Sequence, residues 1–301
     1  MTANAPRSIA QYLSALRQEL AGADPALVQD ALYDAEEYLR AEVAGRPDLS
    51  EADVLELIAS TYGAPAEVAA AYRQTEATVA AALAAPARRA PSGALGRFFA
   101  VYGDSRAWTS LFYALLALPT GIFYFTVAIT GLSVSFGLSL LIIGLPFFLL
   151  FIGFTRVLAL VEGRIVEGLL GVRMPRRPRP APDQATLVGR VRQMLTDPRT
   201  WTTLLYMLLA LPLGVLYFSV TAVALALSLG FLAVPLIYPF TGDAPDGLHL
   251  TVFNAPLSMA GAVGLAVVGL FLLTAFLHAV RAGGSLRGQL AKRLLVAREG
   301  D

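Results

Sequence analysis

No cysteine occurs among the 301 residues. Disulfides, thiolate metal sites and cysteine nucleophiles are thereby excluded, and the redox compartment stays open. Histidine is almost as scarce: His249 and His278 are the only two, too few convergent ligands for a metal centre. Lysine occurs once, as Lys292, and the other basic residues are arginine, the usage of a GC-rich bacterial genome. No glycine-rich phosphate loop ending in Lys-Ser or Lys-Thr is present, which argues against nucleotide chemistry. No basic stretch with a short apolar core opens the chain, so no cleaved leader is expected. Charge itself is sparse, at 15% of residues against 56% hydrophobic, where soluble domains hold about 25% and 45–50%. That apolar excess calls for lipid. Neither a cofactor nor an enzymatic activity is expected.

Arginine and lysine are also missing from two long windows, Ala107 to Thr155 and Thr200 to Val280. The first fits two spans of about 20 residues with a tight turn. They are expected near Trp108 to Thr130 and Leu138 to Leu160, with Gly131 to Gly137 turning between them. The second window holds spans near Trp201 to Ser228 and Leu257 to Val280. Arginines precede the first span, separate the second from the third and follow the fourth, whereas the opposite side has only Asp243, Asp246 and His249. The positive-inside rule then places both termini and the middle linker in the cytoplasm, in a bacterial cell membrane. Ionisable residues in mid-span, which mark ion and proton pathways, are not expected in these four segments. Helix packing is expected to use small-residue pairs such as Ala222 with Ala226 and Ala260 with Gly264.

The charge that remains is divided in two. Residues 1–85 hold 13 acids and five arginines, a net of −8, and the remainder holds 18 basic residues and nine acids, +9. Asymmetry of this size marks two environments. Within the acidic part, Ser8 with Gln11, Asp24 before Pro25, and Ser50 are helix starts. Gly22, Gly45 to Pro47 and Gly63 are the stops, Gly63 closing a third helix that buries Tyr62. Four short helices follow, the last running from Pro65 into an alanine-rich stalk. The second presents Asp30, Asp34, Glu37 and Arg40 on its polar side, a candidate partner face or simply a solvated one.

The membrane half aligns with itself. Asp104, Arg106, Trp108, Tyr113, Pro119, Gly121, Tyr124 and Phe125 recur 93 residues later as Asp197, Arg199, Trp201, Tyr206, Pro212, Gly214, Tyr217 and Phe218. Gly163, Leu169 and Leu170 recur at an offset of 125, as Gly288, Leu294 and Leu295. The second copy therefore holds an insertion of 32 residues, largely Gly230 to Pro256. An uninterrupted match of this kind reads as an internal repeat. The expected fold class is all-α: a polytopic membrane protein of four transmembrane helices in two repeated hairpins, with a small soluble N-terminal helical domain. The boundaries are 1–85 for the acidic domain and stalk, 86–180 for the first membrane repeat and 181–301 for the second.

Two resemblances rest on these residues. Tyr12-Leu13, Leu16, Glu19-Leu20, Asp24-Pro25, Asp34 to Leu39, Ser50 to Asp53 and Tyr62 to Ala69 resemble the bacterial HAAS signalling domain over residues 8–75. That resemblance implies a membrane regulator associated with PadR-like transcription factors. Asp197 to Trp201, Ala210 to Gly214 and Val161 to Gly171 resemble the sensor domain that many actinobacterial histidine kinases carry ahead of their catalytic region, here in two copies over residues 97–298. No phosphoacceptor or ATP-binding region accompanies it in this sequence.

The expected function is sensory or regulatory: a membrane or extracytoplasmic signal relayed to a cytoplasmic protein partner, a transcription regulator or a kinase. The alternatives are a small-solute or lipid transporter and a membrane assembly factor. Asp104, Arg106, Trp108 and Pro119, with Asp197, Arg199, Trp201 and Pro212, are candidate signal-coupling residues. Interface anchoring by Trp, phosphate contact by Arg, helix capping by Asp and kinking by Pro explain them more simply. Asp243, Asp246, His249 and Asn254 form a candidate outer sensing patch. The lipid bilayer, a homodimer partner and a cytoplasmic protein are the expected contacts, and direct nucleic-acid binding is not.

Overall fold

The computed structural model describes residues 6–83, 93–138, 144–177, 187–240, 251–252 and 255–296. The N-terminal part is four helices, α1 (Ile9–Glu19), α2 (Pro25–Ala44), α3 (Glu51–Ala59) and α4 (Pro65–Leu83). Each of the first three begins where a side chain satisfies an otherwise orphaned backbone amide. Ser8 accepts from the Gln11 amide, Asp24 from Ala26 and Ser50 from Asp53. Their apolar stripes meet in one core containing Tyr12, Leu16, Leu20, Leu39, Val54 and Ile58. The third helix is shorter than its pattern suggests. It ends at Ala59, and Tyr62 and Gly63 lie beyond it. Gly63 turns the chain at φ +100°, and its carbonyl accepts the Tyr12 hydroxyl at 2.9 Å. That bond ties the turn to α1 instead of closing α3.

The remaining elements are α5 (Ala94–Phe99), α6 (Ser105–Leu138), α7 (Gly144–Leu170), α8 (Leu187–Thr196), α9 (Pro198–Ile237) and α10 (Met259–Leu295). A two-residue strand pair, Thr251–Val252 with Ala255–Pro256, lies between α9 and α10. Three of the described helices, α6, α9 and α10, are long and apolar enough to cross a membrane, with mean hydropathy of 1.8, 2.4 and 2.4. α7 carries Arg156, Glu162, Arg164 and Glu167 from its middle onward.

The helices run further than expected from glycine content. No turn forms at Gly131 to Gly137, because α6 continues to Leu138. Gly131 lies under the Phe151 ring of α7, so close that a Cβ would sit 1.9 Å from it. The missing side chain serves packing there rather than chain reversal. Gly230 is likewise inside α9, so the insertion starts as helix. Ala260 and Gly264 face outward, as does Ala226. The close approach is made elsewhere. A Cβ on Gly121 would meet the Ala210 carbonyl oxygen at 2.5 Å, and one on Gly214 would meet that of Ala117 at 2.2 Å. Small residues let the two backbones touch, as in membrane helix pairs generally. Pro119 and Pro212 lie inside these same helices, two residues before each glycine.

Side-chain contacts set the helix directions. α10 follows α6 in parallel: the Tyr102 hydroxyl meets Thr274 at 3.0 Å, Ser110 lies beside Gly284, and Arg287 reaches the Tyr113 hydroxyl at 3.3 Å. α9 runs against α10, with Ser228 beside Gly269 and the Tyr217 hydroxyl donating to the Gly283 carbonyl. α6 and α9 are therefore antiparallel where they pack. The arginine distribution alone places both of their starts on one face. Contact between apolar helices is governed by small residues, which a count of charges ignores.

Candidate functional site

The α6–α9 crossing brings a carboxylate into the apolar interior. Glu162 of α7 is 3% exposed. Its Oε1 accepts the hydroxyls of Tyr113 at 2.9 Å and Tyr206 at 2.6 Å, and its Oε2 accepts that of Tyr124 at 3.0 Å. Arg287 of α10, 5% exposed, donates through Nε to the Tyr113 hydroxyl and lies over the rings of Tyr113 and Tyr217, at 5.5 and 5.0 Å. All four long helices contribute. Tyr113 and Tyr206 are 93 residues apart, as are Tyr124 and Tyr217, and Glu162 and Arg287 are 125 apart. Positions related by those offsets thus hold opposite charges around a cage of tyrosines. A buried pair is tolerated only when hydrogen bonds replace lost hydration, and here phenols supply them to both carboxylate oxygens.

This network was not legible as such. Glu162 lies two residues past the expected span end at Leu160 and Arg287 seven past Val280, so neither counted among the mid-span positions. The signal was present: each directly precedes an aligned glycine, Gly163 or Gly288.

A second polar cluster joins the N-terminal helices to the chain leaving α7. Gly171, at φ +69°, turns that chain back along the helix, and Met174 packs against Gly163. The turn presents three arginines to α2. Asp30 accepts the backbone amides of Arg176 and Arg177 at 2.6 and 2.8 Å and pairs with the Arg173 guanidinium at 3.1 Å. Arg173 also reaches Glu76 of α4 at 2.9 Å and Glu167 of α7 at 3.3 Å. Arg177 pairs with Asp34 at 2.9 Å and lies over the Tyr33 ring, while Lys292 of α10 pairs with Asp24. Burial pushes the Asp30 carboxyl above its ordinary value, although the two amide bonds and Arg173 act against that shift.

The candidate partner face is thus divided. Asp30 is 6% exposed, and Asp34, half-buried, is paired with Arg177. Glu37 remains exposed, and Arg40 pairs with Glu36 one turn away.

The candidate coupling residues occupy matched positions. The Asp104 carboxylate accepts the Arg106 amide at 3.0 Å and pairs with Arg281 at 2.8 Å. Asp197 accepts the Arg199 amide at 3.1 Å and pairs with Arg156 at 3.3 Å. Both aspartates start their helices and both hold a partner helix. Trp108 and Trp201 are exposed, and each indole N–H donates to a carbonyl six residues back, Tyr102 and Leu195. The Arg106 guanidinium lies beside Gly171. Arg199 lines a cavity of about 110 Å³ between α7, α9 and the turn at Met174-Pro175, with Gln29 of α2 at its edge. His278 meets the Phe98 carbonyl at 2.9 Å through Nε2 and stacks on the Phe98 ring. Asp243, Asp246, His249 and Asn254 lie outside the described residues.

No curated protein and no solved structure matches this chain. One family model does, under the description "Putative sensor", over residues 113–295. The matched stretch runs as one region from the first tyrosine on Glu162 to the last turn of α10. It covers more than half of the chain, and the protein belongs to this sensor family.

Proposed function

We propose that the chain is a multi-pass membrane regulator, not an enzyme, in which helix packing in the sensor region sets the availability of the N-terminal helical domain to a cytoplasmic protein partner. The single observation behind this reading is the arginine turn on Asp30. The segment leaving α7 holds α2 and α4 through Arg173, while its other contact, Glu167, lies within α7 itself. A shift of α7 against its neighbours changes that grip directly. The reading includes the two hairpins as copies of one unit and the N-terminal part as a soluble HAAS-like domain on the cytoplasmic side. A PadR-like transcription regulator is the partner that fits the resemblance. The matching contacts of Asp104 with Arg281 and Asp197 with Arg156 support the duplicated arrangement.

Spin labels on cysteines placed at Glu37 and Arg192 of the full chain in nanodiscs report the distance between α2 and α8. Arg173→Glu is expected to broaden that distance, and Asp30→Arg combined with Arg173→Glu to narrow it again. The Arg173→Glu chain is also expected to retain a transcription regulator from cell extract better than the wild type. Identical distances and identical bound proteins in the two chains would exclude the relay.

A further inference from the structure

The cavity beside Arg199 holds more polar groups than the protein satisfies. Among the described residues, Arg199 Nε and Nη2, Thr200 Oγ1 and Gln29 Oε1 are all buried without a hydrogen-bond partner. Thr200 is 5% exposed and lines the cavity together with the other two side chains. Unpaired buried donors are rare in folded proteins, and a buried charge without a partner is rarer. Elsewhere in the same wall the charges are met, because Arg156 pairs with Asp197. Arg199, half-buried as a residue but with two buried nitrogens, has no ion pair among the described residues.

The identity of the free atoms narrows the ligand. Nε and Nη2 are the two nitrogens along one edge of the guanidinium, the fork that grips two oxygens of a carboxylate or phosphate side by side. Thr200 adds a hydroxyl. Gln29 Nε2 already donates to the Arg177 carbonyl at 2.9 Å, so its Oε1 is fixed as an acceptor and calls for a ligand that also donates. A carboxylate has no proton to give. A singly protonated phosphate monoester shares one negative charge over two oxygens, which face Arg199, and keeps a P–OH for Gln29. At about 110 Å³ the cavity is smaller than the roughly 150 Å³ that takes a benzene ring, which suits a headgroup and not a whole lipid. Ile152, Leu160 and Met174 give it an apolar wall for the carbon attached to the ester oxygen.

We infer that this cavity is a binding site for a phosphate monoester, held by Arg199 and Thr200 of α9 and by Gln29 of α2. A ligand there touches the sensor helices and the N-terminal domain at once. Its effect on the domain rests on the relay proposed above; the binding itself does not.

The test uses the full chain in phosphatidylcholine nanodiscs, read by native mass spectrometry and by the melting temperature. Three probes separate the sources: phosphatidic acid in the bilayer, inorganic phosphate in solution, and phosphatidylglycerol as a diester that lacks the second ionisable hydroxyl. Retention of phosphatidic acid or of inorganic phosphate, well above phosphatidylglycerol, is expected. Arg199→Met should weaken it about tenfold or more, and Thr200→Val by a smaller factor. Both variants remove an unpaired polar group and should melt no lower than the wild type. Equal retention of all three probes, no retention of any, or no change in Arg199→Met would overturn the site. Binding that holds while the Glu37–Arg192 distance ignores the ligand would leave the site standing and overturn only its role in the relay.

Discussion

Glu162 shows how much one side chain can carry. Both carboxylate oxygens are held by phenols from α6 and α9, and Arg287 stands behind Tyr113. Replacement by alanine orphans three hydroxyls and leaves a buried cation without its counter-charge, which costs about 3–5 kcal/mol by analogy with broken buried pairs. Glu162→Ala is therefore expected to lower the melting temperature in detergent sharply. Replacing Glu162 and Arg287 together, by Gln and Met, should recover part of that loss, since the uncompensated charge is then gone. A single variant as stable as the wild type would show that the cage is not what binds the helices. The sequence makes the four tyrosines visible, because they recur at a fixed spacing. It does not show what they surround, since glutamate and arginine at equivalent positions do not look alike in an alignment.

At the scale of elements, glycine had two readings and packing chose between them. Gly131 and Gly137 look like a turn, and glycine is the residue that turns favour. Yet Gly131 admits the Phe151 ring, and Gly121 and Gly214 admit the opposite backbone. Gly214→Val is expected to separate α6 from α9 and to destabilise the chain by about 1–3 kcal/mol, the range for overpacking. Gly264→Ala is the control. It has nothing within 4 Å of a new Cβ, sits inside α10, and should be neutral or stabilising by about 0.5–1 kcal/mol. Thermal unfolding of both variants checks the pair, and a Gly214→Val chain that melts with Gly264→Ala would contradict the crossing. Four helix starts were readable: Ser8, Asp24, Ser50 and Asp197 each accept the backbone amide that a cap requires. Capping is local chemistry, so local sequence contains it. Helix ends were less so, as with α3 and α9, because they depend on what the next segment packs against.

For the whole molecule, the division of charge between the two parts has a structural use. The −8 of the first 85 residues meets the arginines that follow α7, so the acidic face that resembled a free docking surface is partly occupied within the chain. The absence of cysteine makes the cellular side easy to establish. A single cysteine at exposed Glu37 is expected to resist a membrane-impermeant maleimide in intact cells and to react after lysis, if the N-terminal domain is cytoplasmic. Labelling in intact cells would reverse that assignment.

Composition, periodicity and the offset of 93 were enough to establish that the chain is helical, that long apolar helices dominate its second half and that an acidic helical part precedes them, because those properties depend on neighbours in sequence. What lies between the helices was decided only in three dimensions: the antiparallel packing of α6 and α9, the burial of Glu162 with Arg287, and the clamp of Arg173 on Asp30. Residues 38 to 174 positions apart meet there. No local pattern specifies such meetings, since each depends on which small residues allow two backbones to touch and on which polar groups must find partners once they do.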